Sequence, residues 1–202
     1  MTTELPGVLF DPTDLEGVLL VHPQVYEDER GFLVEQAHHR TLAALSSRGI
    51  VQLNHSRSMR GVIRGLHFQE PNPQGKLVWS ARGALFNVAV DVRRGSPGFG
   101  RWTAAELSDT NHTQMWIPPG FAHGYGALSE VVDCLYVCTA PFAPADRYTL
   151  AWNDPEIAIR WPIEKPLVSL RDASAPLLSQ MAVLPSFDTA MSRFDSGAPG
   201  RE

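Results

Sequence analysis

The segment "RGLHFQEPNPQGKL", Arg64 to Leu77, places an arginine, a histidine and a lysine within thirteen residues, on either side of a proline-broken turn. Histidine is the side chain that ordinarily exchanges a proton near neutral pH. Arg64 and Lys76 are costly to bury unless something negative meets them. Two cations converging on His67 therefore point to an anionic ligand, or to negative charge that develops during a reaction. A solvated basic rim is the alternative. A second histidine, His123, follows the tight corner in "IPPGFAHGYG". A mononuclear metal centre needs three or four nitrogen, oxygen or sulfur ligands. Here two histidines stand without a partner, and Gln69 occupies the place two residues after His67. A resident metal is not expected, so His67 reads as a base or as a packed core residue.

Strands must position these side chains. Short apolar runs separated by turn residues recur along the chain, among them "IVQLNHS", "GVIRGLHF", "KLVWSARG", "ALFNVAVDVRR" and "VVDCLYVC". This spacing predicts an all-β sandwich or barrel. The clearest strand runs from Leu85 to Arg93. Phe86, Val88, Val90 and Val92 make a core face, while Asn87, Ala89, Asp91 and Arg93 make a face polar enough to line a cavity or meet solvent. Helix is scarce. "HHRTLAALSSRG" from His38 fits a short helix with Gly49 as its stop, and Ala173 to Met181 is a second candidate. The two cysteines, Cys134 and Cys138, lie four apart on one predicted strand. Their Cα atoms would then be roughly 13 Å apart, beyond the limit of about 7 Å for a disulfide, so two buried thiols are expected.

With 202 residues, 44% of them hydrophobic and 19% charged, the chain is expected to form one globular domain over residues 1–202, with a tail fraying from about 185. A net charge of -5 argues against a protein that lives on nucleic acid. No run approaches the roughly 18 apolar residues of a membrane helix, and "MTTELPGVLFDPTDLEG" lacks the basic start and apolar core of a signal peptide. A cytoplasmic protein with no membrane partner is expected.

Pro118, Gly120 and His123 have the spacing P-x-G-x-x-H, which resembles the second motif of cupin-type jelly-roll β-barrels. The H-x-H pair of metal-binding cupins is missing. From about Pro6 to Leu178 the resemblance becomes specific. "DERGFLVE", "QLNHSRS", "RGLHFQ", "QGKLV", "VAVDVRRGSPGFG", "WIPPGFAHG", "LYVCTAPFAP", "WNDPEIAIRWP" and "SLRDASAP" occur in this order. The chain thereby resembles the nucleotide-sugar 3,5-epimerases, cupin-fold enzymes acting on dTDP-4-keto-6-deoxyglucose in deoxysugar pathways.

That resemblance implies roles. His67 matches the general base and Asp172 the carboxylate that orients its imidazole and raises its basicity. Taken alone, Asp172 reads equally as a helix cap or a surface charge. Tyr136 matches the general acid on the opposite face of the sugar. By strand parity it shares a face with Val132, Cys134 and Cys138, and a packed core role is its alternative. Lys76 matches the stabiliser of the enolate oxygen. Arg30, Glu35, Gln52, Asn54, Arg64, His123 and Arg171 are implied as substrate-binding residues. The N-terminal strand would be exchanged across a homodimer, so that Arg30 and Glu35 serve the neighbouring site. No cofactor is implied.

The sequence departs from the family pattern at Asn87, where aspartate is common, and at Phe142, where a second tyrosine is common. Trp79 stands where a basic residue is frequent, and Leu33 where an aromatic is. An amide lacks a carboxylate's charge, so a partner such as His123 loses basicity. Proton abstraction should survive, while sugar orientation and the second proton delivery are affected. These departures favour inversion at C3 alone, in a pathway decorating secondary metabolites. The double epimerase, a related ketoisomerase, a non-catalytic sugar-nucleotide-binding cupin and a metal-dependent oxygenase are the competing readings.

Overall fold

The computed structural model describes residues 3–187. The chain begins with β1 (Thr3–Leu5), β2 (Val8–Pro12) and β3 (Leu19–Pro23). A hairpin of β4 (Val25–Asp28) and β5 (Gly31–Val34) and the helix α1 (His39–Leu45) follow. Next come β6 (Gln52–Met59), β7 (Val62–Gln69), β8 (Lys76–Arg82) and β9 (Ala84–Asp91). β10 (Trp102–Ser108), β11 (Gln114–Ile117), β12 (Phe121–Ala127) and β13 (Val131–Cys138) continue the run. After a 3-10 turn at Pro144–Asp146 lie β14 (Arg147–Thr149), β15 (Leu167–Val168) and the short helix α2 (Leu170–Ala173).

The strands pair into a seven-stranded sheet, ordered β1-β2-β3-β11-β8-β13-β6, and a second sheet ordered β10-β9-β12-β7-β14, with β15 parallel to one end of β7. Their inner faces meet over Val18, Val78, Leu85, Ala89, Met115, Phe121, Tyr125, Val132 and Cys134. This is the all-β barrel that the strand pattern predicts, with the cupin-type jelly roll that the resemblance implies. Among the described residues no helix is long and apolar enough to cross a membrane.

Both sheets are covered on their outer faces as well. Leu77, Trp79, Trp116 and Val137 pack outward against Leu45 of α1. Val88, Val90 and Val92 pack outward against Leu150, Ile157, Leu178 and Met181. The expected two faces of β9 are therefore both buried: the valine face lies beneath the C-terminal segments, and Asn87, Ala89 and Asp91 point into the barrel rather than to solvent. Burial on both faces explains why so many of these strands read as unbroken apolar runs instead of clean alternations.

Helix α1 starts as expected, with the His38 ring accepting from the Arg40 backbone N–H at 3.2 Å. The predicted helix over Ala173–Met181 does not form; the chain makes α2 and then a 3-10 turn at Leu178–Gln180. Pro176 between them has no N–H to continue a helix and disfavours helical backbone at Ala175. Most of the tail expected to fray, residues 188–202, lies outside the described residues. At its start, the Arg94 N–H donates to Pro185 O at 2.7 Å and the Phe187 N–H to Arg94 O at 2.9 Å. Arg93 stacks over Phe121 at 4.2 Å and over Phe187 at 5.0 Å. Residues 185–187 are thus held by contacts. Cys134 and Cys138 are free and buried, as expected.

One irregularity positions the site. Between β7 and β12 the pairing shifts from His67↔His123 to Arg64↔Tyr125, so three steps along β7 match two along β12. The extra residue is a β-bulge, which re-aims side chains. Without it Arg64 and His67 would lie on opposite faces, whereas both reach the barrel cavity. Gly65 sits in the bulge at φ +123, and a Cβ there would lie 2.6 Å from Gly124 Cα and 2.9 Å from His123 O. Backbone atoms cannot yield as a flexible side chain does. Gly65→Ala is therefore expected to destabilise the fold by about 3 kcal/mol or more. A thermal or denaturant midpoint within error of the parent would show that this approach is not needed.

Candidate active site

The cavity between the sheets measures about 790 Å³ and is lined by residues of β6, β7, β13 and the β15–α2 segment, among others. His67 comes from β7 and Tyr136 from β13, strands of different sheets, so base and acid candidates stand on opposing walls. Lys76, the first residue of β8, is carried in beside Cys138 of β13. Asp172 arrives from α2, where the Ser169 hydroxyl caps the helix by accepting the Asp172 N–H at 3.1 Å. The cap turns the carboxylate back toward β7, where Oδ1 lies 2.7 Å from His67 Nε2. The expected cap role belongs to Ser169, and Asp172 is free to hold the imidazole.

The other sequence-predicted residues divide. Gln52, Asn54, Arg64, His123, Phe142 and Arg171 all line the cavity with the four above. Gln52 donates to Asn54 Oδ1 at 2.7 Å and accepts the Phe142 N–H at 2.7 Å, fixing one rim. Asn87 does not line the cavity. It is fully buried behind His123, with Oδ1 2.9 Å from His123 Nε2. Arg30 and Glu35 lie away from this cavity, on and just after the β4–β5 hairpin; Arg30 pairs with Asp28 and Glu35 is exposed. Leu33 is exposed on the same hairpin, and Trp79 packs on the outer face, so neither touches His67.

Charge in this cavity is unevenly compensated. Arg64, Lys76, Arg147 and Arg171 line it, while Asp172, its one acidic lining residue among the described residues, is engaged by His67. Lys76 is nearly buried and, among the described residues, makes no ion pair. Burial pushes its ammonium below the usual lysine value, and the Cys138 thiol partly opposes this. For His67, burial is the largest influence and lowers the imidazole below 6.5; Asp172 raises it, and Arg147 and Lys76 lower it further. Asp172 thus acts in the expected direction, and burial outweighs it. Burial disfavours ionised Asp172, yet its bonds to His67 and Ser169 leave its carboxyl below the usual value. At neutral pH the pair is thus a neutral imidazole beside an ionised carboxylate. Burial pushes the Tyr136 phenol up to about 12, so it keeps its proton. Burial, with Lys76 and His67 adding to it, holds His123 well below 6.5.

A pH dependence follows. Both histidines have folded values below the unfolded 6.5, so the unfolded chain binds protons first as pH falls. Their contribution to stability is complete above pH 6.5 and is lost as pH drops through the folded values. The acid limb of kcat/KM, which reports the free base, is expected below 6.5 for the same reason. Asp172→Asn removes the raising influence and should move that limb to still lower pH; a limb moving upward would contradict the assignment of His67.

Two further groups were not singled out from sequence. Arg147 Nη2 lies 3.0 Å from His67 Nε2. It follows a proline-rich turn with no periodicity, so sequence carried no signal for it. The Tyr125 hydroxyl bonds Ser56 and Ser58 at 2.9 Å each, and Arg64 Nε donates to Ser58 at 2.9 Å. Tyr125 is two residues from His123 on one strand, and strand parity would have placed both on the cavity face.

The family model for dTDP-4-dehydrorhamnose 3,5-epimerase matches residues 12–180. The chain belongs to the dTDP-4-dehydrorhamnose 3,5-epimerase family. An epimerase of that name from Salmonella typhimurium is 47% identical over 172 residues, covering 83% of this chain and 94% of that protein. The crystal structure of a Legionella pneumophila family member, in complex with dTDP-4-keto-L-rhamnose, superposes with a TM-score of 0.88. It is 40% identical, and the match covers 90% of this chain and all of that one. A dTDP-4-dehydrorhamnose 3-epimerase from Streptomyces niveus is 36% identical over 196 residues, 94% of this chain and 95% of that protein. Both His67 and Tyr136 line the cavity of this family member, on strands of different sheets.

Proposed function

We propose that this family member inverts the carbons flanking the C4 ketone of dTDP-4-keto-6-deoxyglucose, C3 and C5 in turn. The observation that carries the reading is the convergence of His67, Lys76 and Tyr136 on one cavity, with Asp172 behind the base. The ketone acidifies the C–H bonds on both sides of it. His67 removes a proton, Lys76 faces the oxygen that becomes an enolate, and Tyr136 returns a proton from the opposite wall. A fixed cation in a water-poor site is worth more than in solution, and no charge has to be reorganised as the enolate forms. In the gluco ring the hydrogens at C3 and C5 are both axial on the same face. One base below the ring and one acid above it therefore serve both carbons, and no second dyad is needed. Asn87 keeps His123 as a neutral hydrogen-bonding residue, a role that fits sugar positioning.

The greater identity to the Salmonella 3,5-epimerase than to the Streptomyces 3-epimerase supports double inversion. Inversion at C3 alone, in a secondary-metabolite pathway, is the second reading; the observation favouring it is Phe142 at the rim, where no hydroxyl can hold the sugar for a second turn. Incubation with dTDP-4-keto-6-deoxyglucose in deuterium oxide separates the two. Deuterium with inversion at C3 and C5 supports the double reaction, and at C3 alone the single one. Absence of exchange with the sugar nucleotide bound would leave a binding cupin.

The reading also includes a homodimer in which the β4–β5 hairpin completes a neighbouring site. Tyr26, Phe32 and Leu33 are exposed on that hairpin, and Arg30 stands at its tip away from this chain's own cavity.

A further inference from the structure

His67 Nε2 has two suitors. The Asp172 carboxylate lies 2.7 Å from it and can only accept a proton, while the Arg147 guanidinium lies 3.0 Å from it and can only donate one. A neutral imidazole nitrogen carries either a hydrogen or a lone pair in the ring plane, not both, so the two bonds exclude each other. Bonded to Asp172, the ring bears its proton on Nε2 and keeps the Nδ1 lone pair. Bonded to Arg147, it bears the proton on Nδ1 and has spent its lone pair on the arginine. Among the described residues no protein group bonds Nδ1. Only the Asp172-bonded tautomer therefore offers an unoccupied basic nitrogen.

Arg147 also lies near a like charge. Burial and then Arg171 are the influences that most disfavour its ionised form, and both arginines line the cavity. Among the described residues neither makes an ion pair. An anion received between them relieves that repulsion, and phosphate oxygens match guanidinium donors better than an imidazole nitrogen does.

The geometry points to Arg147 as a positioning residue for the base: in the free protein it engages Nε2 of His67, and the diphosphate of the bound nucleotide sugar draws it toward Arg171, whereupon the ring releases its Nδ1 proton to water, takes one from water on Nε2, donates that N–H to Asp172 and keeps a free lone pair on Nδ1. The inference rests on the nucleotide-sugar reading above and adds to it that binding of the non-reacting half of the substrate switches the tautomer of the base. Remote binding interactions then act on the chemical step, and water or small ketones meet a base that is not yet set.

The test is the tautomer of His67 in protein labelled with 15N-histidine, above neutral pH, with the resonances assigned by loss in His67→Asn. Without ligand, Nε2 should appear unprotonated and Nδ1 protonated. Saturating dTDP should exchange the two. In Arg147→Met, Nε2 should be protonated with and without dTDP, and dTDP affinity should fall about tenfold. Binding of dTDP with Nε2 already protonated in the free parent, or unprotonated in both states, overturns the proposal and leaves the nucleotide-sugar reading intact. Failure of dTDP to bind the parent overturns that reading and this proposal with it. The two parent spectra decide the matter even if the variant does not fold.

Discussion

Replacing His67 with asparagine is expected to lower kcat/KM by about 10³, the scale of general base catalysis, while leaving dTDP affinity within about threefold, because the ring acts on the sugar and not on the phosphates. His67 lies 2.7 Å from Asp172 and on the cavity wall opposite Tyr136, so its loss removes the proton acceptor without emptying the nucleotide end. Solvent deuterium incorporation at C3 and C5 should vanish together if one base serves both carbons. Persistent exchange at one carbon in His67→Asn would mean that a second group abstracts there, and His123 would be the next candidate. Its ring, bonded to the neutral Asn87 and held well below 6.5 by burial, fits a hydrogen-bonding role instead.

The second large effect concerns Lys76, and its two consequences run in opposite directions. Lys76→Met keeps the length of the chain and removes the charge. Activity should fall by about 10² to 10³, the effect of losing one oxyanion stabiliser. Stability should rise by about 1–3 kcal/mol, because a buried ammonium that meets no carboxylate costs more than an apolar side chain of the same shape. Opposed changes of this kind mark a group retained for chemistry. Steady-state kinetics and a denaturant melt on one preparation check both. A variant less stable than the parent would show that Lys76 holds the fold together, and its role as the enolate partner would then lack its energetic argument.

The four expected chemical groups meet in one cavity, and Asn87 does sit against His123 as its family position implied. The resemblance named these positions, and local geometry agrees with it at two of them: the corner at Pro118–Gly120 precedes the inward His123, and strand parity puts Tyr136 on the face of Cys134 and Val132. Two features were not legible in the sequence. The bulge at Gly65 has no periodic signature, since a glycine in a strand pattern is compatible with several backbones, and only the approach of Gly124 from β12 shows why it must be there. Arg147 is adjacent to nothing functional in sequence. It meets His67 because β14 pairs with β7, a contact between segments about eighty residues apart.

By itself the amino-acid order determined the all-β class and the strands, because hydrophobic period and turn chemistry act over a few neighbouring residues, while most cavity residues were named by the resemblance to the epimerase family. The electrostatic balance of the site was decided only in three dimensions. The resemblance pairs His67 with Asp172, which does raise the imidazole; the folded chain adds burial, Lys76 and Arg147, and together they outweigh it. Desolvation and Coulomb interactions depend on distances between groups far apart in the chain, and those distances exist only once the sheets have closed.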